Sequence, residues 1–273
     1  MYKLVSMDLD ETLLTRDKKM SPDFPAFVEE LKEKNIIPIV ATGREFTTAK
    51  KFVGDVDIDL ICNNGNLIRN SKHGDILYVN PISFEDLRRV MDLDKEKVLS
   101  CVLHVTGQKG VDLAFPDRKT RTLDKHYANH FAGRIREVDS IEDLKSKVLS
   151  IVFTGDDQRL FKLYEILKEN ISEDFNLHLM SMQSHKGYML EVLQKNGDKF
   201  VGVSIYCEKK NIDLKDIIAI GDDSNDRNLI ANAGFGIAMK NGVQAVKDVA
   251  KLISKKDNNH NGAIEILREV LWW

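Results

Sequence analysis

The chain has 273 residues, 42% of them hydrophobic and 30% charged, with a formal net charge of −3, a balance that belongs to a folded chain and not to a disordered one. It offers no electrostatic footing for nucleic acid or an anionic membrane, and no apolar run approaches the ~18 residues that span a bilayer. The length predicts two domains, the opening "MYKLVSMDLD" has no room for the apolar segment of a secretory leader, and Cys62, Cys101 and Cys207 read as reduced core thiols, so a cytoplasmic protein is expected.

In chain order, Lys3 to Met7 is a short apolar strand that ends in "DLDET", with Asp8, Asp10 and Glu11 at its mouth. Ser21 and Pro22 are a helix start, followed by Phe24, Phe27, Val28 and Leu31 at helical spacing. "NIIPIVATGR" predicts a second strand from Ile36 to Ala41, ending in Thr42 and Gly43. A short helix around Glu45 to Val53 leads to a third strand, "DLICNNG", and "NNGNLIRNSKHGDILYV" reads as a hairpin. Strands apolar on both faces and separated by helices predict a parallel α/β sheet.

From Ser83 the texture changes. "SFEDLRRVM" and "SIEDLKSKV" look like two helix starts, each followed by a similar strand, which suggests either an internal duplication or a coincidence of amphipathic patterns. A helix "QRLFKLYEILKENI" precedes two strands, "FNLHLMSM" and "YMLEVL". After Lys199 the parallel rhythm returns, with Phe200, Val203, Tyr206 and Cys207 at helical spacing, the strand "DIIAIGDD", the helix "SNDRNLIANAG", the strand "FGIAM", a helix starting near Val243 and a last helix. The expected fold is therefore α/β. A Rossmann-like parallel-sheet core domain, residues 1–82 and 188–273, is interrupted by an α+β cap domain, residues 83–187.

In open parallel sheets, ligands bind outside the carboxyl ends of the strands. Three such ends carry distinct chemistry: Asp8 and Asp10, then Thr42 and Gly43, then Asp222 to Asp226, while Lys199 opens the helix before the last. Taken alone, the first cluster reads equally as a solvated acidic turn, Thr42-Gly43 as a strand stop and Lys199 as a surface lysine. Together they are the parts needed to handle a phosphoryl group. Carboxylates alone repel phosphate, so the set calls for a divalent cation, and hard oxygen ligands favour Mg²⁺.

"DLDETLL", "ATGR", Lys199 and "GDDSND" resemble, in order, the four motifs of the haloacid dehalogenase superfamily, and "CNNG", "IAMKNG" and "HNGAIEIL" resemble its Cof-type branch. That resemblance covers nearly the whole chain and implies a cap of the C2B kind. It implies that Asp8 attacks phosphorus and becomes an aspartyl phosphate, while Asp10 protonates the leaving oxygen and then activates water. It further implies Mg²⁺ held by Asp8, the Asp10 backbone carbonyl and Asp222, and a phosphoryl group held by Thr42, Gly43, Lys199 and Asn225. Asp226 would orient the metal's surroundings or Lys199. The activity implied is that of a phosphatase for small phosphorylated metabolites, first sugar phosphates, then pyridoxal phosphate or flavin mononucleotide. Its partners are neither nucleic acid nor membrane, and the chain is a monomer or a homodimer.

Two departures stand out. Glu11 occupies the place where the family usually has glycine, and Phe200 follows the third-motif lysine, for which Lys195 is a nearby competitor. Arg44, His185 and Lys186 are possible substrate contacts; Arg44 reads equally as a solvated helix start, and for His185 and Lys186 a plain hairpin turn is the better reading. His126 and His130 share a helix face but lack the glutamate of the zinc-protease pattern, so a surface helix is the better reading. The rivals are a phosphosugar mutase with the same intermediate and a non-catalytic phospho-acceptor. Single-domain receivers of the latter class carry no inserted cap and place the acceptor on an interior strand.

Overall fold

The structure is a computed structural model, and it describes residues 2–108, 110–181 and 187–272. His185 and Lys186 lie outside the described residues. The contacts divide the chain into a discontinuous unit, Met1–Val79 with Asp198–Trp273, and a continuous one, Asn80–Gly197.

The chain enters the first unit through β1 (Leu4–Met7) and α1 (Phe24–Glu33), then β2 (Ile37–Ala41), α2 (Phe46–Val53) and β3 (Asp59–Cys62). The strands β4 (Leu67–Asn70) and β5 (Ile76–Val79) form the hairpin expected from their turn residues. Phe24, Phe27, Val28 and Leu31 of α1 are all fully buried, as their spacing requires.

The second unit begins with α3 (Phe84–Leu93), β6 (Ser100–Gln108), β7 (Val111–Phe115), α4 (Lys125–His130) and β8 (Ile135–Glu137). It continues with β9 (Val148–Thr154), α5 (Asp157–Ile171), β10 (Phe175–Ser181) and β11 (Tyr188–Gln194). Its strands run in the order β10-β11-β9-β6-β7-β8, antiparallel except for the β7–β8 pair. Leu87, Val90 and Met91 of α3 and Leu160, Leu163 and Leu167 of α5 pack on one sheet face with Cys101, Leu103, Ile151 and Phe153. Tyr127 and Phe131 pack with Val102, Leu113 and Val152.

Two sequence expectations change here. Residues 188–194 belong to the second unit and not to the core domain, because Tyr188–Gln194 pairs residue by residue with β10 and with β9; the return to the first unit falls at Asp198. "SIEDLKSKV" forms one helical turn, Ile141–Asp143, and not a helix matching α3, since β9 begins at Val148 and leaves no length for one. That weakens the duplication.

The first unit resumes with α6 (Lys199–Lys210), β12 (Ile217–Gly221), α7 (Arg227–Asn232), β13 (Phe235–Ala238), α8 (Gln244–Lys247), β14 (Leu252–Ile253) and α9 (Gly262–Leu271). Among the described residues its sheet has the order β14-β13-β12-β1-β2-β3-β4-β5, with the β3–β4 and β4–β5 pairs antiparallel and the other pairs parallel. β1 lies between β12 and β2, Met7 level with Ile220 and with Val40. Residues far apart in sequence, those following β1, β2 and β12, thus come out at one edge.

Candidate active site

Asp8 leaves β1 with its amide donating to the Ile220 carbonyl at 2.9 Å, and only 5% of the residue is exposed. The Lys199 ammonium donates to Asp8 Oδ1 at 2.6 Å and to Asp226 Oδ1 at 2.7 Å, and all three residues are buried. Asp198 caps α6 by accepting from the Phe200 amide, which sets Lys199 at the helix start. The helix approaches closely because it is Gly202 that faces the Asn63–Gly65 turn: a Cβ there would come within 2.6 Å of the Gly65 Cα. Lys195 is exposed and donates to the Ser172 carbonyl within the second unit, so Lys199 is the lysine brought to the carboxylates.

Asp226 is held from both sides. Its Oδ2 accepts from the Asp222 and Asp223 amides, each at 3.2 Å, while Oδ1 takes Lys199. Gly221 makes this fold-back possible, since a Cβ on it would lie 2.3 Å from the Asp226 carboxyl carbon. Asp222 Oδ1 accepts from the Thr12 hydroxyl at 3.2 Å.

Among the described residues, one group of carboxylates, histidines or cysteines could hold a metal ion: Asp8, Asp222 and Asp226, whose ligand atoms lie within 4.8 Å of one another. Asp10 enters the expected ligand set only through its backbone, because its side chain is engaged elsewhere. Burial, outweighing the attraction of Lys199, pushes the Asp8 carboxyl up to about 7, and burial with the Asp8 charge pushes Asp222 up to about 9. Burial opposes the charge on Lys199, yet Asp226 and Asp8 hold its pKa above the ordinary lysine value. Three carboxylates share one ammonium. Hard oxygen donors with an excess of negative charge fit a divalent cation such as Mg²⁺.

Asp10 points into a different partnership. Arg44 donates from Nε to Asp10 Oδ2 at 2.6 Å and from Nη2 to Oδ1 at 2.7 Å, and Lys18 adds a bond to Oδ1 at 3.0 Å. Burial resists ionisation of Asp10, but the hydrogen bonds and charges of Arg44 and Lys18 more than offset it and hold the pKa below the usual carboxylate value. Arg44 is thus tied to Asp10 through Nε and Nη2 and is not a fully solvated helix residue. Its guanidinium also lies over the Phe52 ring at 4.9 Å.

The remaining expected residues cluster beside β2. Thr42 is buried, and its hydroxyl accepts from the Arg44 amide at 3.2 Å, which leaves that hydroxyl able to donate its own proton. A Cβ on Gly43 would come 3.2 Å from Asn64 Oδ1, and Asn64 Oδ1 accepts from Asn225 Nδ2 at 3.0 Å. Sequence reasoning did not single out Thr12, Lys18 or Asn64. Asn64 lies in "CNNG", a motif that was visible without a role. On α4, His126 and His130 enter no such metal group among the described residues.

Two surface hollows lie apart from these side chains. One of about 420 Å³ is lined by Leu93, Leu99, Leu163 and Ile166, and one of about 390 Å³ by Ile37, Asp57, Asp59 and Tyr206.

The description of the haloacid dehalogenase-like hydrolases matches this chain over residues 5–267. The chain belongs to that family. It is 22% identical over 277 residues to YxeH of Bacillus subtilis, which is named as a phosphatase, covering 99% of each chain. It is 23% identical to the HMP-PP phosphatase of Serratia proteamaculans, covering 91% of this chain and 88% of the relative. A haloacid dehalogenase-like hydrolase from Bacteroides thetaiotaomicron has the same fold, with a TM-score of 0.80 at 24% identity over 99% of this chain and 100% of that one. Family and named relatives support a phosphatase. Among the described residues, no helix is long and apolar enough to cross a membrane.

Proposed function

We propose that the protein is a Mg²⁺-dependent phosphatase of small phosphorylated metabolites, sugar phosphates first, with pyridoxal phosphate or flavin mononucleotide behind them. The observation that carries this reading is the Lys199 ammonium bonded at 2.6 Å to a buried Asp8 whose neighbours are Asp222 and Asp226. Asp8 and Asp222, with the Asp10 backbone carbonyl, would hold the metal; Asp226, with both oxygens already occupied, orients Lys199 and the Asp222–Asp223 backbone. The bound metal supplies positive charge that favours ionised carboxylates and screens the phosphoryl group.

Asp8 is the nucleophile. One Oδ atom bonds to phosphorus as the bond from phosphorus to the leaving oxygen breaks, and water later returns the carboxylate. Lys199, the Thr42 hydroxyl, the Gly43 amide and Asn225 hold the phosphoryl oxygens, each such donor contributing on the order of a hundredfold in rate. Asp10 serves both proton transfers. Paired with Arg44 it is ionised, which suits taking a proton from water; to deliver a proton to the leaving oxygen it must first be released from that pair. The six-stranded unit is the cap in this reading.

The test is a hydrolysis screen over phosphorylated sugars, cofactors, nucleotides and HMP-PP, the compound for which the Serratia relative is named. Free phosphate release with Mg²⁺, reduced on the order of 10⁴-fold or more in Asp8→Asn, is the expected result. Phosphate returned to sugar in place of release sinks the hydrolase, and equal turnover by Asp8→Asn sinks the mechanism.

A further inference from the structure

Glu11 follows Asp10 directly and adopts φ +52° with ψ +13°, the left-handed region where a Cβ crowds the backbone and glycine is at ease. A glutamate persists there only if its surroundings hold it, and they do so from three directions. Lys18 donates to Glu11 Oε1 at 3.2 Å, Asn258 Nδ2 to Glu11 Oε2 at 3.0 Å, and Asn241 Nδ2 to the Glu11 carbonyl at 2.7 Å.

Each of these partners has a second attachment. Lys18 also binds Asp10 Oδ1, Asn258 also donates to the Leu14 carbonyl at 2.9 Å, and the Asn258 amide donates to Asn241 Oδ1 at 3.1 Å. Glu11 therefore ties the turn after β1 to the segment after β14 through its side chain and to the segment after β13 through its carbonyl. The peptide joining Asp10 to Glu11 carries the Asp10 carbonyl, and its direction follows from the Asp10 ψ of 136° and the Glu11 φ of 52°.

We propose that Glu11 is a positioning residue: pinned by Lys18 and Asn258, its carboxylate holds the left-handed turn that aims the Asp10 carbonyl for a divalent cation and keeps the Asp10 side chain beside Lys18. The inference rests on the phosphatase reading. It assigns to a side-chain network the task that glycine's conformational freedom performs at this position elsewhere in the family. A glutamate that is merely solvated would have no such influence on metal affinity.

Three variants separate these cases. Glu11→Ala keeps the Cβ and loses the side-chain bonds to Lys18 and Asn258, Glu11→Gly loses both, and Glu11→Gln keeps the acceptor for Asn258 but not the charge facing Lys18. Mg²⁺ affinity is measured by calorimetry, the thermal midpoint is measured in chelator, and kcat and KM are measured at saturating Mg²⁺. Glu11→Ala is expected to bind Mg²⁺ about tenfold more weakly, with a lower metal-free midpoint and a lower kcat but an unchanged KM. Glu11→Gly is expected within about threefold of wild type, because glycine adopts the turn unaided, and Glu11→Gln falls between.

Wild-type Mg²⁺ affinity in Glu11→Ala overturns the inference, as does equal weakening in Glu11→Ala and Glu11→Gly. A wild-type protein that binds no Mg²⁺ and releases no phosphate overturns the phosphatase reading itself and this inference with it, so the two failures are distinguishable.

Discussion

Each unit buries a cation against carboxylates, and the two burials differ in charge balance. In the second unit the Arg121 side chain is fully enclosed; it donates to Asp94 and to the Leu99 carbonyl, with Asp117 at 3.9 Å and Lys97 in turn 3.7 Å from Asp117. Two cations there meet two carboxylates. In the first unit one ammonium, Lys199, pairs with Asp8 and Asp226, and Asp222 lies in the same group of carboxylates. The balanced cluster ties loops to a helix end, although Arg121 Nε and Nη2 have no hydrogen-bond partner among the described residues. An unbalanced one raises carboxyl pKa values and calls for a cation, so imbalance separates a reactive site from a structural staple.

The comparison can be broken first at the two cations. Lys199→Met should lower kcat on the order of 10²–10³-fold in steady-state assays, because a buried donor to the developing charge is lost. The same variant should lose roughly 3 kcal/mol of metal-free stability in denaturant unfolding, with two buried carboxylates left uncompensated. Arg121→Met should destabilise by a similar 3–5 kcal/mol or so, Asp94 being stranded, while kcat per folded molecule stays within about twofold. A fall in kcat as deep as that of Lys199→Met would erase the distinction between the two burials.

Metal comes next. Mg²⁺ at about a hundred times its dissociation constant should stabilise the wild type by ~2.7 kcal/mol in thermal unfolding, and Asp222→Asn by much less. An equal rise in both would remove Asp222 from the ligand set. The smallest effect sharpens the contrast from the second unit. The hydroxyl of Thr154, on β9, is buried without a hydrogen-bond partner among the described residues. Thr154→Val should leave the unfolding midpoint unchanged or raise stability by up to ~1 kcal/mol, since no bond is lost and a desolvated polar atom is removed. A clear loss would mean that this hydroxyl is bonded in solution.

Local rules account for what was readable. The apolar strands, the buried stripe of α1, the hairpin and the acidic strand mouth are set by residues within a turn or two of one another, and all appear where expected. Tyr188–Gln194 was assigned to the wrong unit because a strand's partners are not written in its own pattern: an apolar run fits either sheet. Arg44 escaped its role for a related reason. Nothing near "ATGRE" says that its guanidinium reaches 34 residues back to Asp10. Lys18, seven residues past Glu11, carries no local sign of its bond to that carboxylate.

By itself the amino-acid order determined which side chains could carry the chemistry, because strand ends, helix starts and carboxylate spacing are short-range matters of periodicity and backbone geometry. Only the tertiary structure decided which of them share a charge. Sheet order β12-β1-β2 brings Asp222, Asp8 and Thr42 to one edge, and packing at Gly202 and Gly221 admits Lys199 and Asp226 among them. Coulomb interactions depend on separation in space and on the solvent excluded between charges, and neither is encoded locally.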